Sequence, residues 1–429
     1  MKTVSIKKTE IGLGLPKITV PVCGETQQDM LLAARSALRK ADILEIRLDT
    51  FAGLRERSAL RDLVRTLREY SNIPLLYTLR TAAEGGRRAF AENEYEDILL
   101  YLLKECQPDF VDVEIRRVAA LRILAEAEHQ KIPTIASFHD FQSTPKTQEL
   151  LYCIRQMEDA GASIAKIAVM PENAEDVERL LSLGLSLRDS LRIPMVLISM
   201  GKLGAITRFG AEQLGSAMTF ATAGGPGTAP GQMDADALRE VIQKRHDGAL
   251  RKGHIFLTGF MGTGKTTVAK ELSSRTGLPL FEMDREIEAK EGRSIPRIFG
   301  ESGEAYFRSV ESELLEELFD EQRQIVSCGG GTVLRASNVV QMRAMGHVVL
   351  LTASPETVYK RLRKSAGSRP LLNGRFSVEG VETLMREREK YYTRAAEIVV
   401  DTDGRKVRDI AFEISTRVGC TDDKRDRRY

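Results

Sequence analysis

The sequence predicts two α/β domains: a (β/α)8 TIM barrel, followed by a smaller domain with an open, five-stranded, parallel sheet around a phosphate-binding loop. Three observations lead to this prediction. The chain has 429 residues, about twice the length of one compact domain. Its first half alternates short apolar runs with amphipathic segments eight times. Its second half opens with an apolar run, a glycine-rich turn and a helix-favouring segment.

The barrel prediction depends on eight apolar runs that are separated by segments of helical periodicity over about 230 residues. These candidate strands begin at Lys17, Asp42, Pro74, Phe110, Pro133, Ile164, Pro194 and Ala217. An open doubly wound sheet could hold the same elements. Because the eight units follow one another without a change of pattern, closure into a barrel is favoured.

The second domain is predicted from five further apolar runs separated by helical segments. They begin at His254, Leu278, Gln324, His347 and Glu397. A polar helix end with Gly248 as a breaker marks the boundary between the domains. We therefore expect a barrel at 1–244, a linker at 245–252, the second domain at 253–420 and a disordered charged tail at 421–429.

Composition argues against several classes of protein. Hydrophobic residues make up 42% and charged residues 29%, as in ordinary globular chains, and 63 basic against 61 acidic residues give a net charge of +2. No basic field favours a nucleic acid or membrane partner, and the N-terminus lacks the apolar segment of a secretory signal. Five scattered cysteines predict reduced thiols. We expect a cytoplasmic protein whose partners are small molecules.

Polar side chains interrupt the apolar pattern of the predicted barrel strands, where a purely structural barrel would carry Val, Ile and Leu. Most recur with the period of two that places side chains on one face of a strand. They are Glu45, Arg47, Asp49, Arg80, Asp112, Glu114, Ser137, His139 and Lys166. Barrel enzymes keep their chemistry at the carboxyl ends of the strands, so these residues predict an active site. Ion pairs that only bridge the barrel are the alternative.

A lysine and a histidine on adjacent strands suggest carbonyl chemistry. Lys166 lies near the end of the sixth predicted strand and His139 on the fifth. A neutral lysine can condense with a ketone to form a Schiff base, and a histidine can then move the adjacent proton. Purely structural roles for either residue are the alternative. The scheme requires no metal, and we expect no cofactor in this half.

The segments EIRLD, TLRTAAEGG, DVEI, MGKLGAITR and TAPGQ, together with these two residues, resemble type I 3-dehydroquinate dehydratase over residues 17–240. The resemblance implies that Lys166 forms the Schiff base, that His139 is the general acid and base, and that Glu84 orients this histidine. It also implies a set of substrate-binding residues, of which the last two would cover the substrate: Glu45, Arg47, Arg80, Arg208, Thr228 and Gln232.

The second domain contains the phosphate-binding motif G-x-x-x-x-G-K-[ST] between a predicted strand and a predicted helix, which is the context that supports it. Its exposed backbone N–H groups would bind phosphate, the lysine would reach the β- and γ-phosphates, and the threonine hydroxyl would contact Mg²⁺. The motif predicts that the chain binds a nucleoside triphosphate, which the family resemblance of this domain, given below, implies to be ATP. The residues we assign to this site are Gly259, Gly262, Thr263, Gly264, Lys265, Thr266 and Thr267.

Together with this loop, the segments FEMDREIE, GEAYFRSVE, CGGG, SRPLL and REKYY resemble shikimate kinase, whose fold is P-loop and NMP-kinase-like, over residues 253–418. The resemblance implies that Asp284 accepts the proton of the attacking hydroxyl. It implies that Arg308 and Arg388 hold a substrate carboxylate and that Arg369 closes on the phosphoryl group from a lid. The backbone of Gly329, Gly330 and Gly331 would contact substrate hydroxyls.

Mg²⁺ would be held by Thr266, Asp284 and Glu282. Glu282 stands where the family usually has an aspartate, so it would act with a longer stem.

Our leading hypothesis is a bifunctional enzyme of the shikimate pathway that combines both activities. The first product is a ketone and the kinase substrate is its alcohol, so a separate reductase must act between them. A class I aldolase-like barrel fused to another small-metabolite P-loop kinase is the alternative. A third hypothesis makes one half a regulatory module without turnover. Whether barrels pair into a homodimer is left open.

Overall fold

The computed structural model of the protein describes residues 3–225, 227–251, 253–363 and 377–420. The chain divides into two compact units, Met1–Gln243 and Lys244–Tyr429. Arg369 and the tail at 421–429, for which we expected a lid and disorder, lie outside the described residues.

The first unit begins with an antiparallel hairpin that the sequence did not indicate, formed by β1 (Val4–Ile6) and β2 (Thr9–Ile11). Eight parallel strands follow, and each coincides with one of the eight predicted apolar runs. They are β3 (Lys17–Val22), β4 (Ile43–Arg47), β5 (Leu75–Thr78), β6 (Phe110–Glu114), β7 (Thr134–Asp140), β8 (Ile164–Val169), β9 (Met195–Ser199) and β10 (Met218–Phe220).

These strands form a nearly closed barrel rather than an open doubly wound sheet. Each strand from β3 to β8 pairs with the next, and β10 pairs back with β3 with Met218 opposite Lys17. One isolated bridge between Met195 and Ser216 joins the last two strands. The carboxyl ends of all eight strands therefore meet at one rim.

The helices of the first unit cover the barrel because each has one apolar face. On α2, for example, Leu60, Leu63, Val64 and Leu67 are buried at the spacing of helical turns. The helices are α1 (Gln27–Ala37), α2 (Arg57–Tyr70), α3 (Glu92–Tyr101), α4 (Ala120–His129), α5 (Thr147–Asp159), α6 (Ala174–Leu187), α7 (Ile206–Phe209), α8 (Ala211–Leu214) and α9 (Ala235–Arg251). Shorter helical turns lie at Leu48–Thr50, Ala52–Arg55, Ala82–Glu84 and Leu102–Cys106.

The expected linker at 245–252 is helical as far as Arg251, because α9 continues through it. Gly248, which we took for a helix breaker, lies inside this helix. A single glycine costs only about 1 kcal/mol relative to alanine within a helix, so it need not end one.

The second unit contains the five predicted strands, in the order β12-β13-β11-β14-β15 and all parallel. They are β11 (His254–Thr258), β12 (Leu280–Glu282), β13 (Ile325–Ser327), β14 (Gly346–Thr352) and β15 (Ile398–Asp401). The helices are α10 (Lys265–Thr276), α11 (Met283–Glu291), α12 (Ile295–Glu317), α13 (Ala336–Met345), α14 (Pro355–Leu362), α15 (Val378–Ala395) and α16 (Val407–Arg417), with short turns at Leu318–Asp320 and Thr332–Leu334.

The five cysteines are all free thiols, as expected. Within the ranges that the structure covers, we find no helix with the length and apolar character needed to cross a membrane.

Candidate active sites

Lys166 lies in the interior of the barrel. It is the third of the six residues of β8, and not near the end of the strand as we expected, and its side chain is only 4% exposed. The Nζ atom lies 4.0 Å from the centre of the Phe220 ring, 3.7 Å from Asp112 Oδ2 and 3.9 Å from Glu45 Oε1. The amine is therefore held between an aromatic ring and two carboxylates, away from bulk water.

This environment changes the protonation of the amine. Burial lowers the pKa of Lys166 because a buried ammonium loses its hydration. The carboxylates of Glu45 and Asp112 oppose this shift, and the nearby cations Arg80 and Arg47 add to it. The pKa remains below the ordinary lysine value. At a given pH, a larger fraction of the side chain is therefore the neutral, nucleophilic amine than for a lysine in water.

Arg80 is the centre of a buried network at the carboxyl ends of three strands. It lies two residues beyond β5, not on the strand as we expected, and its side chain is 4% exposed. Its terminal nitrogens donate to Asp112 Oδ1 at 2.8 Å, Ser137 Oγ at 3.0 Å, Glu114 Oε1 at 3.2 Å and Glu84 Oε2 at 3.3 Å. Burial opposes its charge, but the carboxylates, led by that of Asp112, raise the pKa of Arg80, so it stays a cation.

Glu84 holds His139 in one tautomer. Its Oε2 atom accepts hydrogen bonds from the backbone N–H of His139 at 3.1 Å and from Arg80, and it lies 2.9 Å from His139 Nδ1. Because Oε2 already accepts from two donors, it favours Nδ1 as a third donor, which leaves the lone pair on Nε2. Burial raises the pKa of Glu84 to about 8, and the Arg80 guanidinium opposes this shift. Burial and the cations Arg80 and Lys166 lower the pKa of His139 well below its ordinary value, so the ring is neutral.

The loop that carries Glu84 can form only with glycines. Gly85 has a φ of +85°, and a Cβ there would lie 2.2 Å from the ring of Phe141. A Cβ at Gly86 would lie 2.0 Å from the carbonyl oxygen of Arg80. Backbone atoms cannot move away as a flexible side chain can, so these two glycines set the position of the carboxylate.

Seven other predicted barrel residues line the same cavity as Lys166 and His139: Glu45, Arg47, Arg80, Glu84, Arg208, Thr228 and Gln232. Arg47 forms a two-pronged ion pair with the fully buried Asp49, with both N–O distances at 2.9 Å. Glu45 accepts a hydrogen bond from the Thr78 hydroxyl at 3.0 Å. The sequence pattern had paired Asp49 with Arg47 on one strand, and the structure joins them around a short helical turn at the strand end.

Arg208 faces the cavity with a fixed guanidinium group. Its terminal nitrogens donate to the carbonyl oxygens of Phe220 at 3.1 Å and Pro230 at 3.0 Å, and its Nε makes no hydrogen bond within the described residues. Burial lowers the pKa of Arg208 to about 10, so it remains cationic at neutral pH. Beside it, Gln232 Oε1 accepts from the backbone N–H of Thr228 at 2.8 Å, which ties the last barrel loop together.

In the second unit, the glycine-rich turn joins β11 to α10 and opens into a large cavity. Among the predicted residues, those that line the cavity are Gly262, Gly264, Lys265, Thr266 and Thr267. Lys265 donates to the carbonyl oxygens of Gly259 at 2.8 Å and Phe260 at 3.2 Å. Thr263 is buried, and its hydroxyl donates to Phe260 O at 2.8 Å, so its contribution is to the shape of the turn.

Arg308 stands in the same cavity, fixed by two carboxylates. It donates to the buried Glu311 at 2.8 Å and to Glu304 at 3.0 Å. Glu311 is fixed in turn by the Thr332 hydroxyl at 2.5 Å. A Cβ at Gly331 would lie 2.2 Å from the Arg308 guanidinium, so the glycine leaves room for this arginine.

The remaining predicted residues of this site converge on the cavity from other elements. Asp284, in the first turn of α11, and Arg388, on α15, line it together with Gly329 and Gly330. Glu282 also lines it, and its Oε2 accepts from the exposed Arg285 at 3.2 Å.

Whether these residues fit a metal ion depends on their chemistry. Thr266, Glu282 and Asp284 offer hard oxygen donors around one cavity, which suits Mg²⁺. Among the residues that the structure describes, no group of three His, Cys, Asp or Glu side chains could enclose an ion. The donor set therefore fits an ion that keeps water and phosphate ligands and not one that is enclosed by protein.

Several residues in these sites were not assigned a role from the sequence. Asp112, Glu114 and Ser137 follow the period-two pattern of the strands, but their contacts with Arg80 are long-range. Glu311 stands three residues after Arg308, a spacing that favours contact on a helix and could have indicated the pair. Arg361, which also lines the second cavity, carried no sequence signal.

Comparisons with known proteins agree with this division into two units. Residues 18–249 match the family model of type I 3-dehydroquinase, and residues 261–418 match that of shikimate kinase. A 3-dehydroquinate dehydratase from Enterococcus faecalis is 38% identical over 248 residues, which are 57% of this chain and 98% of the relative.

A solved structure agrees with the first of these matches. A type I 3-dehydroquinate dehydratase from Clostridium difficile, solved with covalently modified comenic acid, has a TM-score of 0.54 and 32% identity over 56% of this chain and 96% of its own. A shikimate kinase from Acinetobacter baumannii, solved in complex with shikimate, has 32% identity over 39% of this chain and 92% of its own, with a TM-score of 0.37. The chain therefore belongs to the type I 3-dehydroquinase family and joins a 3-dehydroquinate dehydratase, a lyase, to a shikimate kinase domain, a transferase.

Proposed function

We propose that the barrel dehydrates 3-dehydroquinate to 3-dehydroshikimate through a Schiff base at Lys166, and that the second domain transfers phosphate from ATP to shikimate to give shikimate 3-phosphate. The observation that carries the first half is a buried amine of lowered pKa that lines one cavity with a neutral, oriented histidine. If the polar residues only formed structural ion pairs, there would be no reason for Glu84 to orient His139 through a hydrogen bond to Nδ1.

The dehydration follows from the two side chains. The lone pair of Lys166 Nζ adds to the ketone carbon, and uptake of one proton with loss of water leaves a protonated iminium. His139 Nε2 takes the proton from the adjacent carbon, and the C–H electron pair moves toward the iminium nitrogen as an enamine. Return of these electrons expels the β-hydroxyl, which leaves as water with the proton from His139. Hydrolysis then releases the conjugated ketone and the amine.

The cationic and polar residues of the cavity suit a hydroxylated cyclic acid. Arg208 has an unpartnered Nε and no carboxylate contact in the described chain, which supports it as the anchor of the substrate carboxylate. Arg47 is already paired with Asp49, and Glu45 accepts from Thr78, so these two groups suit hydroxyl contacts. Arg80 is saturated by four side chains, which supports a role in positioning Glu84.

For the kinase half, Asp284 is the group that would accept the proton of the attacking hydroxyl, since it shares the cavity with Lys265. Arg308 and Arg388 would hold the carboxylate of shikimate, for which Glu311 fixes Arg308 in advance. Thr266, Glu282 and Asp284 are the residues that would hold Mg²⁺. When bound, this ion would offset the negative charge of the phosphates.

Two alanine variants test the assignment of one activity to each domain. Lys166→Ala should abolish dehydration and leave shikimate phosphorylation unchanged, because it removes the nucleophile of one cavity only. Lys265→Ala should do the reverse, because it removes the phosphate-binding cation. Both activities are measured on the full chain. Residual dehydration by Lys166→Ala at the wild-type rate would contradict the proposal, as would loss of both activities in either variant with the fold intact.

A further inference from the structure

Asp112 on β6 is a buried carboxylate with one oxygen that lacks a hydrogen bond. Its side chain is 1% exposed. Oδ1 accepts from Arg80 at 2.8 Å and from the Ser137 hydroxyl at 2.6 Å, whereas Oδ2 has no hydrogen-bond partner among the described residues. Buried carboxylate oxygens are nearly always hydrogen-bonded, so this exception requires an explanation.

The unpartnered oxygen points toward the reactive amine. Oδ2 lies 3.7 Å from Lys166 Nζ, within ion-pair range but too far for a hydrogen bond. Arg80 and Lys166 lower the pKa of Asp112 despite its burial, so the group is a carboxylate. A negative charge is therefore fixed beside the nitrogen of Lys166.

We propose that Asp112 is the counter-ion of the iminium nitrogen that forms at Lys166 during dehydration. This inference rests on the Schiff-base function proposed above. When Nζ bonds to the ketone carbon, one proton is taken up and water is lost, the nitrogen carries a positive charge and keeps one N–H. A charge of this kind in a buried site needs a fixed opposite charge close by, and Asp112 Oδ2 supplies it without moving. The proton stays on nitrogen, so the iminium remains the acceptor of electrons from the adjacent C–H bond.

Glu45 lies at a similar distance from Lys166 but is less suited to this role. Its Oε1, the atom 3.9 Å from Nζ, already accepts from Thr78, and the residue lines the cavity where substrate would bind. Asp112 is held from behind by Arg80 and Ser137, so entry of a substrate leaves its charge in place.

Asp112→Asn tests the inference, because it keeps the shape of the side chain and removes its charge. We expect kcat for dehydration to fall by about 100-fold or more, as when one fixed electrostatic partner of a reacting group is lost. Less Lys166 adduct should be trapped by borohydride in the presence of 3-dehydroquinate. The acid limb of the pH profile of kcat/KM should also move to lower pH. Asp112 raises the pKa of Lys166, so its loss lowers that pKa, while Glu45, Arg47 and Arg80 remain in place.

Asp109→Asn is the matched control, since Asp109 pairs with Lys7 just before the same strand and should leave dehydration unchanged. Kinase activity and the unfolding temperature of each variant report whether the chain folds. If Asp112→Asn does not fold, Ser137→Ala, which frees Asp112 without removing its charge, should lower kcat in the same direction by a smaller factor. Wild-type kcat, trapping and pH profile in a folded Asp112→Asn variant would overturn the inference. Absence of any adduct in the wild type would instead overturn the Schiff base itself.

Discussion

The dehydratase site obtains its reactivity from charges that are buried and individually fixed. The pKa of Lys166 lies below its ordinary value because burial and two arginines outweigh two carboxylates. His139 keeps its Nε2 lone pair because Glu84 occupies the other ring nitrogen. A lysine or a histidine does not have these properties in water. The lowered pKa of Lys166 and the tautomer of His139 both depend on the charges and hydrogen-bonding groups of their neighbours.

Glu84→Gln tests this dependence. The glutamine oxygen can still accept from Arg80 and from the backbone N–H of His139. Because it carries no negative charge, it accepts more weakly from Nδ1 and stabilises the imidazolium less, so His139 becomes a poorer base. We expect kcat for dehydration to fall by about 10- to 100-fold, the usual effect of removing a group that orients a histidine. Kinase activity of the same chain should not change. Glu94→Gln, at a surface ion pair with Arg55, is the control, and steady-state kinetics that match the wild type would contradict the tautomer argument.

Single residues of the sites were predictable where strand alternation exposes them. Glu45, Arg47, His139 and Lys166 interrupt apolar strands at regular spacing and do line one cavity. The hydrogen bonds of Arg80 were not predictable, because three of its four partners lie on β6 and β7, whose register with β5 appears only when the barrel closes. For the same reason, the unpartnered oxygen of Asp112 left no trace in the sequence.

Among the elements, the hairpin β1–β2 has a structural task at the barrel floor. Ile6 and Ile11 are buried in the core cluster with Ile43, Leu76 and Phe110, residues of the barrel strands. The hairpin therefore closes the amino-terminal end of the barrel, opposite the rim where the catalytic side chains emerge. Its strands have three residues each, too short for a periodic pattern, which is why the sequence did not predict them.

Ile11→Ala measures what this hairpin contributes. Loss of a fully buried isoleucine side chain should lower the free energy of unfolding of the barrel by about 2–5 kcal/mol. The urea concentration at which half of the dehydratase activity is lost should then be lower than in the wild type. The corresponding urea concentration for the kinase activity in the same samples should not change. Leu13→Ala is the matched control, because Leu13 is 62% exposed. Identical urea midpoints for Ile11→Ala and Leu13→Ala would contradict the structural role.

The longer elements were predicted well, because eight and five apolar runs each became a strand. The boundary between the domains was harder to predict from the sequence. The polar composition of residues 245–252 suggested a linker, yet α9 runs to Arg251, since polar residues are compatible with an exposed helix.

At the scale of the whole chain, the two proposed reactions are not consecutive. Dehydration would yield a ketone and the kinase domain would use the corresponding alcohol, and we identify no G-x-G-x-x-G motif for a hydride-carrying dinucleotide in either site. We therefore predict that a separate reductase acts between the two reactions and that there is no direct transfer between the sites. The assay supplies labelled 3-dehydroquinate and a separate reductase. Excess unlabelled 3-dehydroshikimate should then lower the fraction of label in shikimate 3-phosphate in proportion to the amount added. Flux that persists undiluted would contradict this prediction.

The proposed dehydration depends on a covalent bond between the substrate and Lys166 Nζ. The full chain is incubated with 3-dehydroquinate, reduced with borohydride, digested and analysed by mass spectrometry. We predict one stable adduct, on the peptide that contains Lys166, with kinase activity retained after reduction. An adduct on another lysine, or complete turnover with no trapped species at all, would contradict the Schiff-base mechanism.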